Sequence, residues 1–430
     1  MSSNHLKIIA WFLLLVFIGC TKDDEPVKKE TPEIPVETQD ATYQAAQLDI
    51  TTQQAVSVSS KETYVNCSVT ITSTKKEWNY TGTGRIKGRG NSSWLWYPKK
   101  PYRIKLDKKA AILGLKADKD WVLLADYRDP THLMNAFVFT VGQGLNFPCI
   151  NHVRYAEFYL NGHYIGLYLL TEQIEQGENR VSIDQAEGIL LSLDADDGPE
   201  LSPNAKDNFW SSVYQLPVCV KNPDIASTAQ LTSIRSNFAV LENAISQADY
   251  ETIDRMLNLN SFIDYLLIQE LVYNVEVAAP RSIYLYKDKA GKWTMGPLWD
   301  FDAGFDFDWS TMYTGHNYFN SYTELVLGTA PLDHTGGYIV PSFFTDLFRN
   351  KRFVNEYKAR WLEIKDSIMG EYWTTTLRYA KGTDEAMKRN ASQWPIGKDY
   401  TNEISSMQRW LTNRVDYLTT VISNYPSGTK

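Results

Sequence analysis

Two carboxylates two residues apart, Asp300 and Asp302, stand in the stretch Gly296-Pro297-Leu298-Trp299-Asp300-Phe301-Asp302-Ala303-Gly304. Carboxylate oxygens at the end of a strand are hard ligands of the kind Mg2+ takes, one or two at a time, with substrate phosphates completing the shell. Asp306 and Asp308 follow, and aspartates this close repel one another unless a cation or a basic partner is at hand. The plainer alternative is an Asp-rich turn or a Ca2+ loop, but the EF-hand pattern is incomplete: the twelfth position from Asp300 is Thr311 rather than Glu. Upstream, Gln269-Glu270-Leu271-Val272-Tyr273-Asn274-Val275-Glu276 ends a helix and opens a loop. Asn274 and Glu276 can ligate a second metal or position a nucleophile there, or serve as a helix cap and a surface acid.

Cationic groups lie earlier in the chain. Gly88-Arg89-Gly90-Asn91-Ser92-Ser93-Trp94 sets an arginine between two glycines, which let the backbone turn tightly and approach a ligand closely. Arg89 is therefore a candidate for a phosphate, against the alternative of a structural loop. In Tyr97-Pro98-Lys99-Lys100-Pro101-Tyr102-Arg103-Ile104-Lys105-Leu106 the residues alternate as in a strand, so Arg103 and Lys105 share a face. That face either reaches phosphates or is simply solvated. Glu172, in Leu169-Leu170-Thr171-Glu172-Gln173-Ile174, sits where a strand ends, in a functional position or in a salt bridge.

The elements that must position these groups are readable from periodicity. Residues 47–124 carry β patterns, with Val65–Thr72 alternating and Trp121-Val122-Leu123-Leu124 a short buried run. Residues 132–145 have helical spacing through Leu133, Ala136, Phe137 and Thr140. Asn161-Gly162 between two alternating aromatic runs predicts a hairpin, because both turn residues must reach positive φ. Helical patterns resume from residue 226, pause for a second small hairpin at 282–295, and dominate residues 341–425. Sheet-rich first and helix-rich later is the signature of an α+β fold.

Each stretch alone is a weak signal, but their order is specific. Gly-Arg-Gly-Asn-Ser, then Tyr-Pro-Lys-Lys-Pro-Tyr-Arg-Ile-Lys-Leu, then Asp120-Trp121-Val122-Leu123-Leu124, then the Leu-Asn-Gly hairpin ending Leu-Leu-Thr-Glu-Gln, then Trp-Asp-Phe-Asp, resembles the CotH kinase family from about residue 48 to at least 309. The resemblance implies an atypical protein-kinase-like fold with an N-terminal β-rich lobe and a C-terminal helical lobe, binding ATP with Mg2+ or Mn2+. It also implies phosphoryl transfer to protein serines. Carried over, Asp300 is the metal aspartate, like the Asp of a kinase Asp-Phe-Gly, and Asp302 supports it. Lys105 or Arg103 is the phosphate-binding cation, Glu172 lies at the nucleotide pocket, and Asn274 is a second metal or loop ligand. Active members resemble Asn-x-Asp where this chain has Asn274-Val275-Glu276, so Glu276 stands in the place of the catalytic base. Its extra methylene matters, because a misplacement of about 1 Å costs roughly 100-fold.

The N-terminus adds a location. Lys7 precedes an apolar run over residues 8–18, shorter than the roughly twenty residues a spanning helix needs and suited to a signal peptide. Phe17-Ile18-Gly19-Cys20 resembles a lipobox, which makes Cys20 the lipidated mature terminus. Thr21-Lys22-Asp23-Asp24-Glu25 resembles the acidic signal that sends Gram-negative lipoproteins to the outer surface. Residues 1–20 are thus expected to be a lipoprotein signal peptide, 21–41 a Pro/Glu/Thr-rich tether, and 42–425 one kinase-like domain. This predicts an outer-membrane lipoprotein, surface-exposed or facing the periplasm, whose substrate is an exported or surface protein.

A net charge of −8 provides no basic field for nucleic acid. Cys67, Cys149 and Cys219 form no CxxC pair, so one disulfide with a free thiol, or three buried thiols, are the choices. Aromatic residues make up 13% of the chain, which suits both a large core and sugar-binding surfaces. Three functional readings follow: an atypical Ser/Thr kinase, a pseudokinase-type binding module in which Glu276 marks lapsed catalysis, and a carbohydrate-active protein. The last would draw its two carboxylates from Glu270, Glu276, Asp300 and Asp302.

Overall fold

The computed structural model describes residues 44–313, 316–329, 331–332 and 339–428. The expected signal peptide, Cys20 and the tether lie outside them.

Seven strands close a barrel in the order β1-β2-β3-β4-β5-β7-β6: β1 (Ala46–Thr52), β2 (Val65–Thr72), β3 (Tyr80–Gly88), β4 (Tyr102–Ala110), β5 (Asp118–Leu124), β6 (Arg154–Leu160) and β7 (His163–Glu172). Neighbours pair antiparallel except at the seam, where β1 runs parallel to β6 with Leu48 opposite Phe158. Closure leaves the barrel no free edge. Its interior is filled by alternate residues such as Leu48, Ile50, Val69, Ile86, Ile104, Trp121, Leu123, Phe158 and Tyr168. The other face of β5 and β7 is buried as well: Val122, Leu124, Leu167 and Leu169 belong to a second, larger core. Burial on both faces is why these two strands read as continuous apolar runs. The predicted Asn-Gly turn joins β6 to β7, with Asn161 at φ 53° and Gly162 at φ 80°.

The second small hairpin is not an isolated insertion. Its strands β11 (Ile283–Lys287) and β12 (Thr294–Met295) extend a five-stranded sheet in the order β12-β11-β8-β10-β9, with β8 (Ile189–Leu193), β9 (Asn208–Trp210) and β10 (Pro217–Asn222). Leu193 lies opposite Ile283 across β8 and β11. The sequence patterns show only the hairpin, because β8 to β10 are short and separated by turns without a sustained period.

Helix α1 (Ser92–Trp96) follows the Gly-Arg-Gly turn, and α2 (Met134–Gly144) is buried on every side over Met134–Gly142. Then come α3 (Thr228–Gln247), α4 (Tyr250–Met256) and α5 (Leu259–Val272). The C-terminal part is α6 (Lys351–Ser367), a π-helical turn at Ile368–Tyr372, α7 (Trp373–Gln393) and α8 (Tyr400–Ser423). Helix α7 docks on the barrel: the Leu167 N–H donates to Asn390 Oδ1 at 3.1 Å, and Arg389 pairs with Glu157 at 2.6 Å. The result is a mixed α+β molecule, β-rich at the N-terminal end and helical at the C-terminal end. No helix among the described residues is long and apolar enough to cross a membrane.

Cys67, Cys149 and Cys219 are all free thiols, so the alternative without a disulfide is the one the structure adopts. Burial pushes each thiol up to about 12, away from the thiolate form that reacts.

Candidate active site

The Asp300-Phe301-Asp302 turn follows β12 and is pinned from several elements at once. The Phe301 N–H donates to Asn135 Oδ1 on α2 at 3.0 Å, the Asn274 amide donates to the Asp300 carbonyl at 3.4 Å, and Tyr318 OH donates to the Asp302 carbonyl at 2.8 Å. Trp299 and Phe301 are buried on either side of Asp300. Asp300 itself has φ 66°, a left-handed conformation that aspartate tolerates better than most residues other than glycine and asparagine. Its Oδ2 accepts from Ser282 Oγ at 3.2 Å, just before β11.

Glu276 arrives from the end of α5. That helix stops at Tyr273, which takes a left-handed φ of 46° and returns its N–H to the last turn. Asn274 then caps the short turn Val275–Val277, its Oδ1 accepting the Glu276 N–H at 3.3 Å. Both ends of the buried Asn274 side chain are therefore engaged with backbone.

Between Glu276 and Asp302 stands a residue that the sequence patterns did not single out. Arg128 Nη2 lies 2.5 Å from Asp302 Oδ1 and 3.3 Å from Glu276 Oε1, with its side chain only 4% exposed. The guanidinium faces the Phe307 and Trp309 rings at 5.3 and 5.2 Å. Arg128 belongs to the loop Ala125-Asp126-Tyr127-Arg128-Asp129 after β5. The loop is anchored where Asp129 accepts the N–H groups of Thr131 and Met134, each at 2.8 Å, at the start of α2. The available signal was three ionisable residues set directly after the apolar run Trp121–Leu124.

The electrostatics follow from burial and crowding. Burial pushes Glu276 up to about 8, with Asp300 adding to the rise and Arg128 opposing it. Burial, with the neighbouring charge of Asp302, pushes Asp300 up to about 6. Burial also pulls Arg128 down, but Asp302 and Glu276 more than reverse it, so the guanidinium stays charged. Arg89 lies with its Cζ 5.1 Å from the Trp299 ring. Desolvation lowers it and Asp300 opposes that. Three acids and two arginines from four separate segments thus share one electrostatic neighbourhood.

The other sequence candidates form a flanking network on the barrel. Asp120 of β5 is shared by Arg103 at 2.6 Å and Lys105 at 2.8 Å, and Arg103 also reaches Glu175 at 3.2 Å. The shared strand face expected for Arg103 and Lys105 is thus present, and both cations have acidic partners on it. Arg103 is close enough to Arg89 to help lower it. Glu172 faces His152, accepting its N–H at 2.9 Å and meeting Nδ1 at 2.7 Å. Burial raises the Glu172 carboxyl, and His152 outweighs burial to leave it below its ordinary value.

The remaining acids have structural duties. Asp306 accepts the Ser321 N–H and Asp308 the Ser310 N–H, at 2.5 and 2.9 Å. Glu270 is wholly buried against Arg414 at 2.9 Å, which removes it from the carboxylates offered for glycoside hydrolysis. For a divalent cation the donor chemistry of Asp300, Asp302, Glu276 and Asn274 is right, but the arrangement is not closed. Among the described residues no three acidic, histidine or cysteine side chains converge as a ligand set. Arg128 holds Asp302 and Glu276, and Asn274 is spent on backbone.

The family model for CotH kinase protein matches residues 86–418. No curated protein matches the chain. The matched span begins in β3 and includes Arg89, Arg128, Glu276, Asp300 and Asp302, while β1 and β2, which complete the barrel, precede it. The chain belongs to the CotH kinase family.

Proposed function

We propose that the protein is an atypical kinase that binds ATP with Mg2+ or Mn2+ and transfers phosphate to Ser or Thr of an exported or surface protein. The observation that carries this reading is the meeting of Glu276, Asp300, Asp302 and Arg89 at one site, delivered by the α5 terminus, the turn after β12 and the turn after β3. In this reading Glu276 takes the proton of the acceptor hydroxyl and Arg89 offers positive charge to phosphate oxygens. Arg103, Lys105 and Glu172 line the nucleotide side, where family resemblance assigns them. The kinase-like division into a β lobe and a helical lobe belongs to the same proposal, as do the lipid on Cys20, the tether and the outer-membrane location.

A second reading has an observation of its own. Arg128 already neutralises Asp302 and Glu276, an arrangement that suits a pseudokinase-type module using the cleft to bind rather than to catalyse.

The test is autophosphorylation with γ-labelled ATP and Mg2+ or Mn2+, with Asp300→Ala alongside. Label on the wild type and none on the variant supports the kinase. Absence of label from a folded wild type that still binds nucleotide turns the assignment to the binding module.

A further inference from the structure

We infer that Arg128 is a resident counter-ion for the Asp302–Glu276 pair, and that a divalent cation and the Arg128 guanidinium compete for those two carboxylates. This rests on the reading that the site takes a metal with its nucleotide, and it concerns how that metal gains entry.

A buried arginine is normally held by hydrogen bonds to the fold around it. Arg414, whose side chain is fully buried, uses both terminal nitrogens: Nη1 donates to the Tyr322 and Glu324 carbonyls and Nη2 to Glu270 through its carbonyl and carboxylate. Such an arginine is built into the fold. Arg128 is nearly as buried, yet its only hydrogen bonds in good geometry are made by Nη2 to the two acids. Its Nε and Nη1 make no hydrogen bond of good geometry, with only the Tyr97 hydroxyl nearby, whereas Arg414 leaves only its Nε in that state. Unpaired N–H groups in the interior are costly, and unlike Arg414 the Arg128 guanidinium donates to no backbone carbonyl. Two carboxylates and two flat aromatic faces hold it.

The charge balance explains why it is there. Glu276, Asp300 and Asp302 crowd together, and without a cation their repulsion is unrelieved. Arg128 relieves it at the two acids it touches. A divalent ion entering with Arg128 in place meets a guanidinium where its ligands should be. With the side chain turned away, Asp302 and Glu276 are released together. Only the side chain has to move, because the loop backbone is anchored by Asp129 and by the hydrogen bond between His316 Nδ1 and the Arg128 carbonyl at 2.9 Å.

Mn2+ affinity, measured without nucleotide by calorimetry or by the electron spin resonance of free Mn2+, is the readout. Arg128→Gln is expected to bind Mn2+ about tenfold more tightly than the wild type, within the usual scale of coupling between sites. Arg128→Lys, which keeps the charge, should stay close to the wild type. Equal or weaker binding by a folded Arg128→Gln protein overturns the inference.

A second measurement leaves every charged group of the site in place. Trp309 is 40% exposed beside the Arg128 guanidinium, so Mg2+ should shift wild-type tryptophan emission in a saturable way that Trp309→Phe largely abolishes. No Mg2+-dependent change attributable to Trp309 overturns the inference, whatever Arg128→Gln does. ATP binding, followed separately in the wild type, reports on the kinase-like reading itself, so the two failures remain distinct.

Discussion

The Phe301 N–H donates to Asn135 Oδ1 at 3.0 Å, and this bond ties the Asp-Phe-Asp turn to α2, a helix buried over Met134–Gly142. Asp300 and Asp302 flank the bonded residue, so α2 sets where both carboxylates stand. Asn135→Ala should leave a buried N–H unpaired and lower stability by about 1–3 kcal/mol. Drift of the turn by even about 1 Å should lower phosphoryl transfer roughly 100-fold. Urea unfolding and a rate measurement on the same protein check both, and a stability loss with an unchanged rate would show that the turn holds its place without Asn135.

Glu276 should impose a pH dependence. A base must be unprotonated to accept the acceptor proton, and burial pushes this carboxyl up to about 8. The carboxyl is thus harder to ionise than an exposed glutamate, even with Arg128 beside it. Any transfer activity should rise with pH through about 8 and fade below it. Glu276→Gln should remove that rise, which a pH–rate profile reads directly. A flat wild-type profile from pH 6 to 9 would exclude Glu276 as the base.

Lys99 offers a test of the fold near the site. Its ammonium nitrogen is buried and donates to the Ala125 and Leu167 carbonyls at 2.7 and 2.5 Å. Burial pulls it down to about 7, with Asp126 opposing. Between that value and the ordinary lysine range, about 10.4, the unfolded chain binds more protons than the folded one, so stability from this group rises with pH. The advantage of the wild type over Lys99→Met should therefore be larger at pH 9.5 than at pH 7. Equal differences at the two values would contradict the burial argument.

The Glu270–Arg414 pair joins α5 to α8 with both side chains fully buried. Glu270 also accepts the N–H groups of Val326 and Leu327 at 3.1 and 2.8 Å. Arg414→Ala should cost about 3–5 kcal/mol, because it strands a charge in the interior. Chemical denaturation measures this, and a loss below about 1 kcal/mol would mean that water reaches the pair.

Much of the fold was legible. The alternation in Val65–Thr72, the Asn-Gly turn and the helical spacing across residues 132–145 predict elements that appear as β2, the β6–β7 hairpin and α2. Each is a local pattern, set by the side-chain period and by turn conformation. The strands β8 to β10 were not legible, because they are short and owe their existence to neighbours from distant sequence.

The candidate site divides the same way. By itself the sequence determined which chemistries are present: a pair of aspartates after a strand, an Asn-x-Glu at a helix end, an arginine between glycines, and the order that marks the family. It also determined that Arg103 and Lys105 share a face, because strand residues alternate. Only the tertiary structure decided which charges meet. Arg128 stands 148 residues from Glu276 and 174 from Asp302 in the chain, yet it binds both, while Arg103 and Lys105 are drawn to Asp120 instead. Periodicity reports which way a side chain points, but the partner of a buried charge is chosen by chain packing, which brings distant residues together and excludes the water that would otherwise screen them.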